Sequence, residues 1–248
     1  MVSQHLASFR TGCCLVPVPS DEHPALLSML QHVRSDFPHA GVIAVFSPGR
    51  SSHQQLLQIG AIGVSDVLVV EGELSADYIR TRLGRAAAHS VANRIGNALA
   101  DHLPDAWVTL FKVALRLAQR PVMLPDFAVA AGMHERTLRK HCSRAGLLSP
   151  QWVLGWARVL TAAYYLDEPG RTVVAVANLL GFPSPSALQN LLRRYTGVAP
   201  RTLRQDGTSA AVMTALFKAV SAHEADASRA NVSARHPLSS ASAEIAGS

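Results

Sequence analysis

The chain has 248 residues, 48% of them apolar, and a formal net charge of +6. This length suffices for one large domain or two ordinary ones, each with its own hydrophobic core. Because no apolar run approaches about 18 residues, and residues 1–12 lack the basic-then-apolar order of a signal peptide, we expect neither export nor membrane spanning and predict a cytoplasmic protein.

Residues 1–84 are predicted to form an α/β unit. Short apolar runs alternate there with stretches of helical period, which is typical of βα units around a parallel sheet. The candidate strands are Cys13–Val18, Gly41–Phe46 and Asp66–Val70, and the candidate helices are Pro24–Phe37, Ser51–Ile59 and Ser75–Leu83. We expect three layers, with the sheet in the middle.

The order of these elements resembles a response-regulator receiver domain, with a strand ending at Phe46-Ser47, a helix, Gly60-Ala61 and a strand near Val67–Val70. A receiver carries an acceptor aspartate and a lysine at strand ends, where this chain has Val18-Pro19 and Val70-Glu71. The resemblance therefore implies a degenerate receiver-like module that lacks the phosphorylation residues. Its expected use is homodimerisation, or reception of a protein or small-molecule signal.

Residues 85–120 are predicted to be a helical connector, interrupted at Leu103-Pro104-Asp105. An apolar stripe follows the interruption, made of Trp107, Leu110, Phe111, Ala114 and Leu117.

Residues 121–206 contain an internal repeat, Phe127–Leu138 and Val176–Leu188. In each copy an alanine (Ala128, Ala177) precedes a glycine (Gly132, Gly181) by four residues. Two helices that cross over a tight turn need a small residue at their close approach and a glycine that can adopt positive φ. The repeat therefore predicts two helix-turn-helix units, each closed by a leucine, Leu138 in the first and Leu188 in the second.

The second helix of each unit has a polar outer face. Ser184 is a good cap with Pro185 in the first turn, whereas His134 is a weaker cap in the first unit. The candidate DNA-binding side chains of the first unit are Glu135, Arg136, Thr137, Arg139 and Lys140. Those of the second unit are Ser184, Ser186, Gln189, Asn190, Arg193 and Arg194. Arginine and lysine suit guanine, glutamine and asparagine suit adenine, and hydroxyl groups suit phosphate. Arg193 and Arg194 are expected to contact the DNA backbone.

The net positive charge is concentrated in this segment. Residues 121–206 carry ten basic and five acidic side chains, whereas the residues on either side are nearly balanced. This location favours an acidic partner such as double-stranded DNA, although a solvated basic surface without a partner is the alternative.

From about Leu124 to Arg204 the sequence resembles the AraC-type (AraC/XylS) transcriptional regulators. The residues that match the family's linker helix are Ser149-Pro150, Trp152-Val153, Arg158, Ala162 and Leu166. Those that match its second unit are Ala177, Gly181-Phe182, Ser186, Leu188, Arg193-Arg194, Gly197-Val198, Pro200 and Arg204. The resemblance implies an all-α double helix-turn-helix domain whose two recognition helices enter successive major-groove segments of DNA, and contact with RNA polymerase if the protein is an activator.

Four residues depart from the family pattern. His134 replaces the usual capping serine, Cys142 the usual aromatic residue, Gly146 stands one position early, and Asn190 replaces a common arginine. These departures leave a second function open, a DNA-binding or protein-interaction module without strong sequence specificity.

Residues 207–248 are rich in alanine and serine. Ala211–Val220 can form a short amphipathic helix, but we expect the tail to be flexible because it carries little apolar surface to bury.

No feature of the sequence predicts an enzyme, a metal site or a cofactor. Cys13-Cys14 is compatible with a thiol-based sensor, but no basic neighbour in sequence lowers the thiol pKa, so buried reduced cysteine is the favoured interpretation.

Overall fold

The computed structural model describes residues 13–18, 24–36, 40–47, 53–72, 74–147, 149–198 and 207–235. In chain order the elements are β1 (Cys13–Pro17), α1 (Pro24–Asp36), β2 (Gly41–Phe46), α2 (His53–Ile62), β3 (Asp66–Val69), α3 (Ala76–Ala100), α4 (Asp105–Leu117), α5 (Leu124–Ala130), α6 (Glu135–Arg144), α7 (Pro150–Leu166), α8 (Val173–Leu179), α9 (Pro185–Thr196) and α10 (Thr208–Arg235).

The three strands form a parallel sheet in the order β1-β2-β3, with Leu15 opposite Ile43 and Ile43 opposite Asp66. Successive residues of β2 alternate between the two faces of the sheet, as the pleat requires. Val42 packs with Leu30 of α1 and Ile59 of α2, whereas Ile43 packs with α3. The described residues therefore place helices on both faces of the parallel sheet, which is compatible with the predicted three-layer α/β unit.

The consecutive strand order is also that of the last three strands of a flavodoxin-like sheet. The order is compatible with the receiver-like module, which stays a prediction.

Helix α3 joins two predicted parts of the chain. The predicted helix Ser75–Leu83 and the start of the connector are one continuous helix that begins after Ser75, whose hydroxyl accepts a hydrogen bond from the Tyr78 N–H. Gly84 does not interrupt this helix, because a single exposed glycine costs only about 1 kcal/mol in a helix interior. No helix in the described ranges is both long and apolar enough to span a membrane.

Most of the helices share one hydrophobic core. The buried side chains of α4, among them Trp107 and Phe111, pack with α3, α5 and α7, and they belong to one cluster that also includes buried residues of both helix-turn-helix units. The apolar stripe predicted on α4 is confirmed, since four of its members are buried and Leu117 is partly buried. The predicted boundary at residue 120 is therefore not a boundary in the packing.

The expectation of a flexible tail is wrong for residues 208–225. Helix α10 begins at Thr208, and its residues Val212, Leu216 and Val220 are buried at a spacing of four. They cover apolar surface of α7 and α9. This surface exists only in the folded molecule, so the composition of the tail alone could not show it. Residues 236–248 lie outside the described residues.

Candidate nucleic-acid interface

The two helix-turn-helix units have the same backbone geometry. At the end of α5 the Met133 N–H donates to the Ala128 carbonyl (2.9 Å), and at the end of α8 the Phe182 N–H donates to the Ala177 carbonyl (2.8 Å). Gly132 and Gly181 have φ values of 66° and 63°. Each turn is thus a Schellman motif that needs a residue in the left-handed conformation, which is why glycine stands there. Ala128 and Ala177 are both buried, which agrees with a small residue at the close approach of the helices.

Helix α6 is the second helix of the first unit. Leu138 and Cys142 are buried on its inner side. The candidate DNA-binding residues on it are all exposed, namely Glu135, Arg136, Thr137, Arg139 and Lys140. His134 precedes the helix without a side-chain capping hydrogen bond, in agreement with its being a weak cap. Arg144 in the last turn is exposed as well, so the exposed residues of α6 include four cationic side chains against one carboxylate.

Helix α9 is the second helix of the second unit. The Ser184 hydroxyl accepts a hydrogen bond from the Ala187 N–H (3.1 Å), and Leu188 and Leu192 are buried. Its exposed side carries the candidates Ser186, Gln189, Asn190, Arg193 and Arg194. Ser184 itself is only partly exposed and is engaged in capping. The two arginines lie in the last turn, where the helix dipole favours cations.

Both second helices contact the long helix α7, as expected of a linker helix. Ser149 caps it by accepting a hydrogen bond from the Trp152 N–H (3.1 Å). Arg158 of α7 reaches the second unit, since its Nη2 donates to the Leu180 carbonyl (3.1 Å) and its guanidinium lies 4.2 Å from the Phe182 ring centroid. Partial burial lowers the pKa of Arg158, but an arginine remains charged at neutral pH.

An aromatic cluster between α4, α7 and α9 was not predicted. Trp152 makes edge-to-face contacts with Trp107 and Trp156, and Trp156 makes one with Tyr195 of α9 at 5.1 Å between ring centroids. Gly155 of α7 leaves the room that the Tyr195 ring occupies. A glycine inside an otherwise strong helix was the one signal in the sequence for this close approach.

A second contact that was not predicted supports the end of α6. The Trp107 Nε1–H of α4 donates to the carbonyl of Ala145, the residue that ends α6, at 2.6 Å. It satisfies one of the last carbonyls of that helix. The connector thus fixes one end of the helix that carries Arg136 and Arg139.

Asp167, at the end of α7, holds the start of α10. Its carboxylate accepts hydrogen bonds from the Thr208 N–H (2.6 Å), the Ser209 N–H (3.0 Å) and the Ser209 hydroxyl. Partial burial opposes ionisation, but these hydrogen bonds outweigh it and lower the pKa of the Asp167 carboxyl below its usual value. A negative charge at a helix N-terminus also complements the helix dipole.

The cysteines that the structure describes are not activated. Burial raises the pKa of the Cys14 and Cys142 thiols, and a raised pKa disfavours the nucleophilic thiolate. The Cys13 side chain and Pro200 lie outside the described residues. Within the described ranges no three His, Cys, Asp or Glu side chains are grouped as metal ligands.

A family model described as a helix-turn-helix domain matches residues 127–206, which begin within α5 and include the rest of the first unit, the linker helix and the second unit. These residues form an AraC-type helix-turn-helix domain. Helices α6, α7, α8 and α9 lie inside the AraC-type domain, whereas α4 and α10, which pack against it, lie outside the matched range.

Two relatives resemble the AraC-type domain in sequence. The HTH-type transcriptional regulator VirS of Mycobacterium tuberculosis (strain ATCC 25618 / H37Rv) is 37% identical over 75 residues, 30% of this chain and 22% of that protein. The uncharacterized HTH-type transcriptional regulator Rv1395 of the same strain is 35% identical over 88 residues, 34% of this chain and 25% of that protein. The chain thus spans a quarter or less of the length of these curated relatives.

Proposed function

We propose that the protein is a transcriptional regulator that binds double-stranded DNA sequence-specifically, with α6 and α9 entering successive major-groove segments. The observation that carries the proposal is that two units of matched geometry share α7 and that each second helix exposes a polar, basic side. The names of the relatives, both HTH-type transcriptional regulators, agree with it. Major-groove entry by such helices is the usual mode of this motif.

The two helices differ in the chemistry that they offer to DNA. Arg136 and Arg139 suit bidentate hydrogen bonds to guanine, whereas Lys140 and Thr137 suit phosphate. On α9, Gln189 and Asn190 suit adenine, and Ser186 and the pair Arg193 and Arg194 suit the backbone. We assign base reading mainly to α6 and positioning mainly to α9.

The direct test is selection of bound fragments from a random DNA pool with the full chain. We expect one enriched site with two half-sites about one helical turn apart. Enrichment without a consensus would contradict sequence-specific recognition and favour the alternative, binding without strong sequence specificity.

Replacing single arginines then tests the assigned roles. Arg136→Ala should weaken binding to the selected site by about 1–3 kcal/mol and relax its sequence preference, because a bidentate base contact is lost. Arg193→Ala should weaken binding to all sequences alike and reduce the salt slope by about one. Arg80→Ala, exposed on α3, is the matched control. An unchanged affinity and salt slope in Arg136→Ala would remove that residue from the interface.

The α/β unit is the proposed dimerisation module. Three of its large apolar side chains are substantially exposed, Leu15 by 50%, Met29 by 44% and Leu57 by 75%. Light scattering of the full chain should show a dimer, and a monomer at micromolar concentration would contradict this part of the proposal. If transcription from the selected site rises in a purified system, contact with RNA polymerase follows as the mode of action.

A further inference from the structure

A cleft of about 1050 Å³ lies between the α/β unit and the helical core. One side is formed by β3 and α3, with Asp66 and Arg85, and the other by the end of α4 and by the AraC-type domain, with Arg116 and Tyr165. Pockets for small molecules usually have volumes of about 300–1000 Å³, so the cleft is large enough for a metabolite.

The cleft is lined by more positive charge than its own carboxylates neutralise. Arg85, Arg116, Arg120 and Arg171 line it, against one lining carboxylate, Asp66. That carboxylate is already paired with Arg82 at 2.8 Å, and Arg171 is paired with Glu168 at 2.6 Å. Among the described residues, Arg85, Arg116 and Arg120 form no ion pair. Three guanidinium groups are thus left to attract an anion.

The wall of the cleft also holds a buried donor without a partner. The Tyr165 hydroxyl donates to Gln119 Oε1 (3.3 Å), which leaves the Gln119 Nε2 group buried with no hydrogen bond from the described residues. Burial raises the pKa of Tyr165 to about 12, so this hydroxyl remains a donor. Because this Nε2 atom has almost no accessible surface, a ligand in the cleft reaches it only if the Gln119 side chain moves.

We propose that this cleft binds a small organic anion that carries at least two phosphate or carboxylate groups. The forked guanidinium groups of Arg85, Arg116 and Arg120 match the oxygens of such groups. Leu117 and Leu179 on the same wall offer apolar surface to its carbon skeleton.

The position of the cleft couples the ligand to the AraC-type domain. Leu179 lies at the end of α8, just before the turn of the second unit, while Arg85 lies on α3 beside the sheet. A ligand that contacts both favours one arrangement of the two parts, so it acts as an effector. The site itself does not depend on DNA binding, and only this regulatory consequence rests on the proposed function.

The test is calorimetric titration of the full chain, without DNA, with inorganic pyrophosphate and in parallel with citrate, at constant ionic strength. The two probes separate recognition of phosphate from recognition of carboxylate. Three variants are titrated. The double variant Arg85→Gln/Arg116→Gln removes two charges from the cleft, and the control Arg80→Gln removes a charge outside it. The third variant, Arg136→Gln, removes a charge from α6. All four positions are exposed, so the variants should fold, which their thermal unfolding verifies.

We expect at least one of the two probes to bind saturably, with one molecule bound per chain. Its affinity should be about tenfold or more weaker in Arg85→Gln/Arg116→Gln and unchanged in Arg80→Gln. The proposal is overturned if neither probe saturates below about 10 mM, or if the cleft variant binds as tightly as the parent chain. It is also overturned if Arg136→Gln abolishes binding, since the anion would then lie on the DNA-binding side. If the parent chain binds neither probe and the cleft variant loses DNA affinity, the proposal is likewise overturned. These arginines would then be assigned to contacts with DNA phosphates.

Discussion

Arg158 is the side chain through which the linker helix holds the second unit. Its loss leaves the Leu180 carbonyl without a donor and removes the stacking on Phe182. We expect Arg158→Ala to lower the free energy of unfolding by about 1–3 kcal/mol, and DNA affinity with it. Urea unfolding followed by tryptophan fluorescence measures the first effect.

Arg139→Ala is the matched control, because Arg139 is exposed and should cost little stability. Arg158→Lys keeps the charge but loses the planar group, so an intermediate loss is expected. Equal stability of Arg158→Ala and the parent chain would show that the contact contributes nothing.

Asp167 makes the docking of α10 depend on pH. Since its pKa is lowered in the folded state, its contribution to stability is full above the unfolded-state pKa of about 3.9 and is lost as the pH falls through the folded-state pKa. Asp167→Asn should cost about 1–2 kcal/mol at pH 7, and the difference from the parent should shrink below about pH 3.9. Unfolding free energies measured from pH 7 to pH 3 test this.

Asp77→Asn provides the comparison for Asp167, because Asp77 is exposed and its ion pair with Arg80 is a surface pair. A stability difference for Asp167→Asn that stays constant with pH would contradict the assigned role of the carboxylate.

Residues whose role depends on near neighbours in the sequence could be predicted, whereas contacts between residues far apart in the sequence could not. Gly132, Gly181 and Ser184 were predicted because their roles depend on neighbours within four residues. Asp167 was not, because its hydrogen-bond partners lie 41 and 42 residues further along the chain.

At the scale of the elements, the close packing of α7 against α9 depends on Gly155. A Cβ at this position would overlap the hydroxyl and ring of Tyr195, so Gly155→Ala must displace that ring from Trp156. We expect a loss of about 1–3 kcal/mol, which is typical of overpacking. Chemical denaturation measures it.

Gly84→Ala supplies an opposite control for Gly155→Ala. No atom lies within 4 Å of a Cβ placed at Gly84, which is exposed in the interior of α3. Alanine should therefore stabilise the chain by up to about 1 kcal/mol. If both substitutions stabilised the chain, helix propensity rather than packing would explain the result at Gly155.

The elements predicted best were those whose own sequence shows a clear pattern of apolar residues. The strands were predicted to within one residue at each end, and the stripe on α4 was predicted correctly because one face of an amphipathic helix repeats every three or four residues. For α10 only the short amphipathic segment Ala211–Val220 was predicted. Its burial was not predicted, because it depends on an acceptor surface that α7 and α9 form only after folding.

For the whole molecule, α10 should behave as part of the core. A chain that ends at Asp206 loses the buried Val212, Leu216 and Val220, each worth about 1.5–3 kcal/mol. We expect its Tm to fall by about 10 °C or more in scanning calorimetry. A chain that ends at Arg235 keeps α10 and should match the full chain, whereas equal Tm values for all three would mean that α10 does not stabilise the fold.

The indole of Trp107 makes the connector important for any exchange of AraC-type domains between proteins. A chimera cut at the start of the matched segment would leave behind the donor that holds the Ala145 carbonyl and the ring that covers Trp152. A transplanted α6 would then lack the hydrogen bond that fixes its end. The smallest segment that can be exchanged with its structure intact is therefore expected to run from α3 through α10. Under the proposed function, DNA specificity should be transferred only with this whole segment.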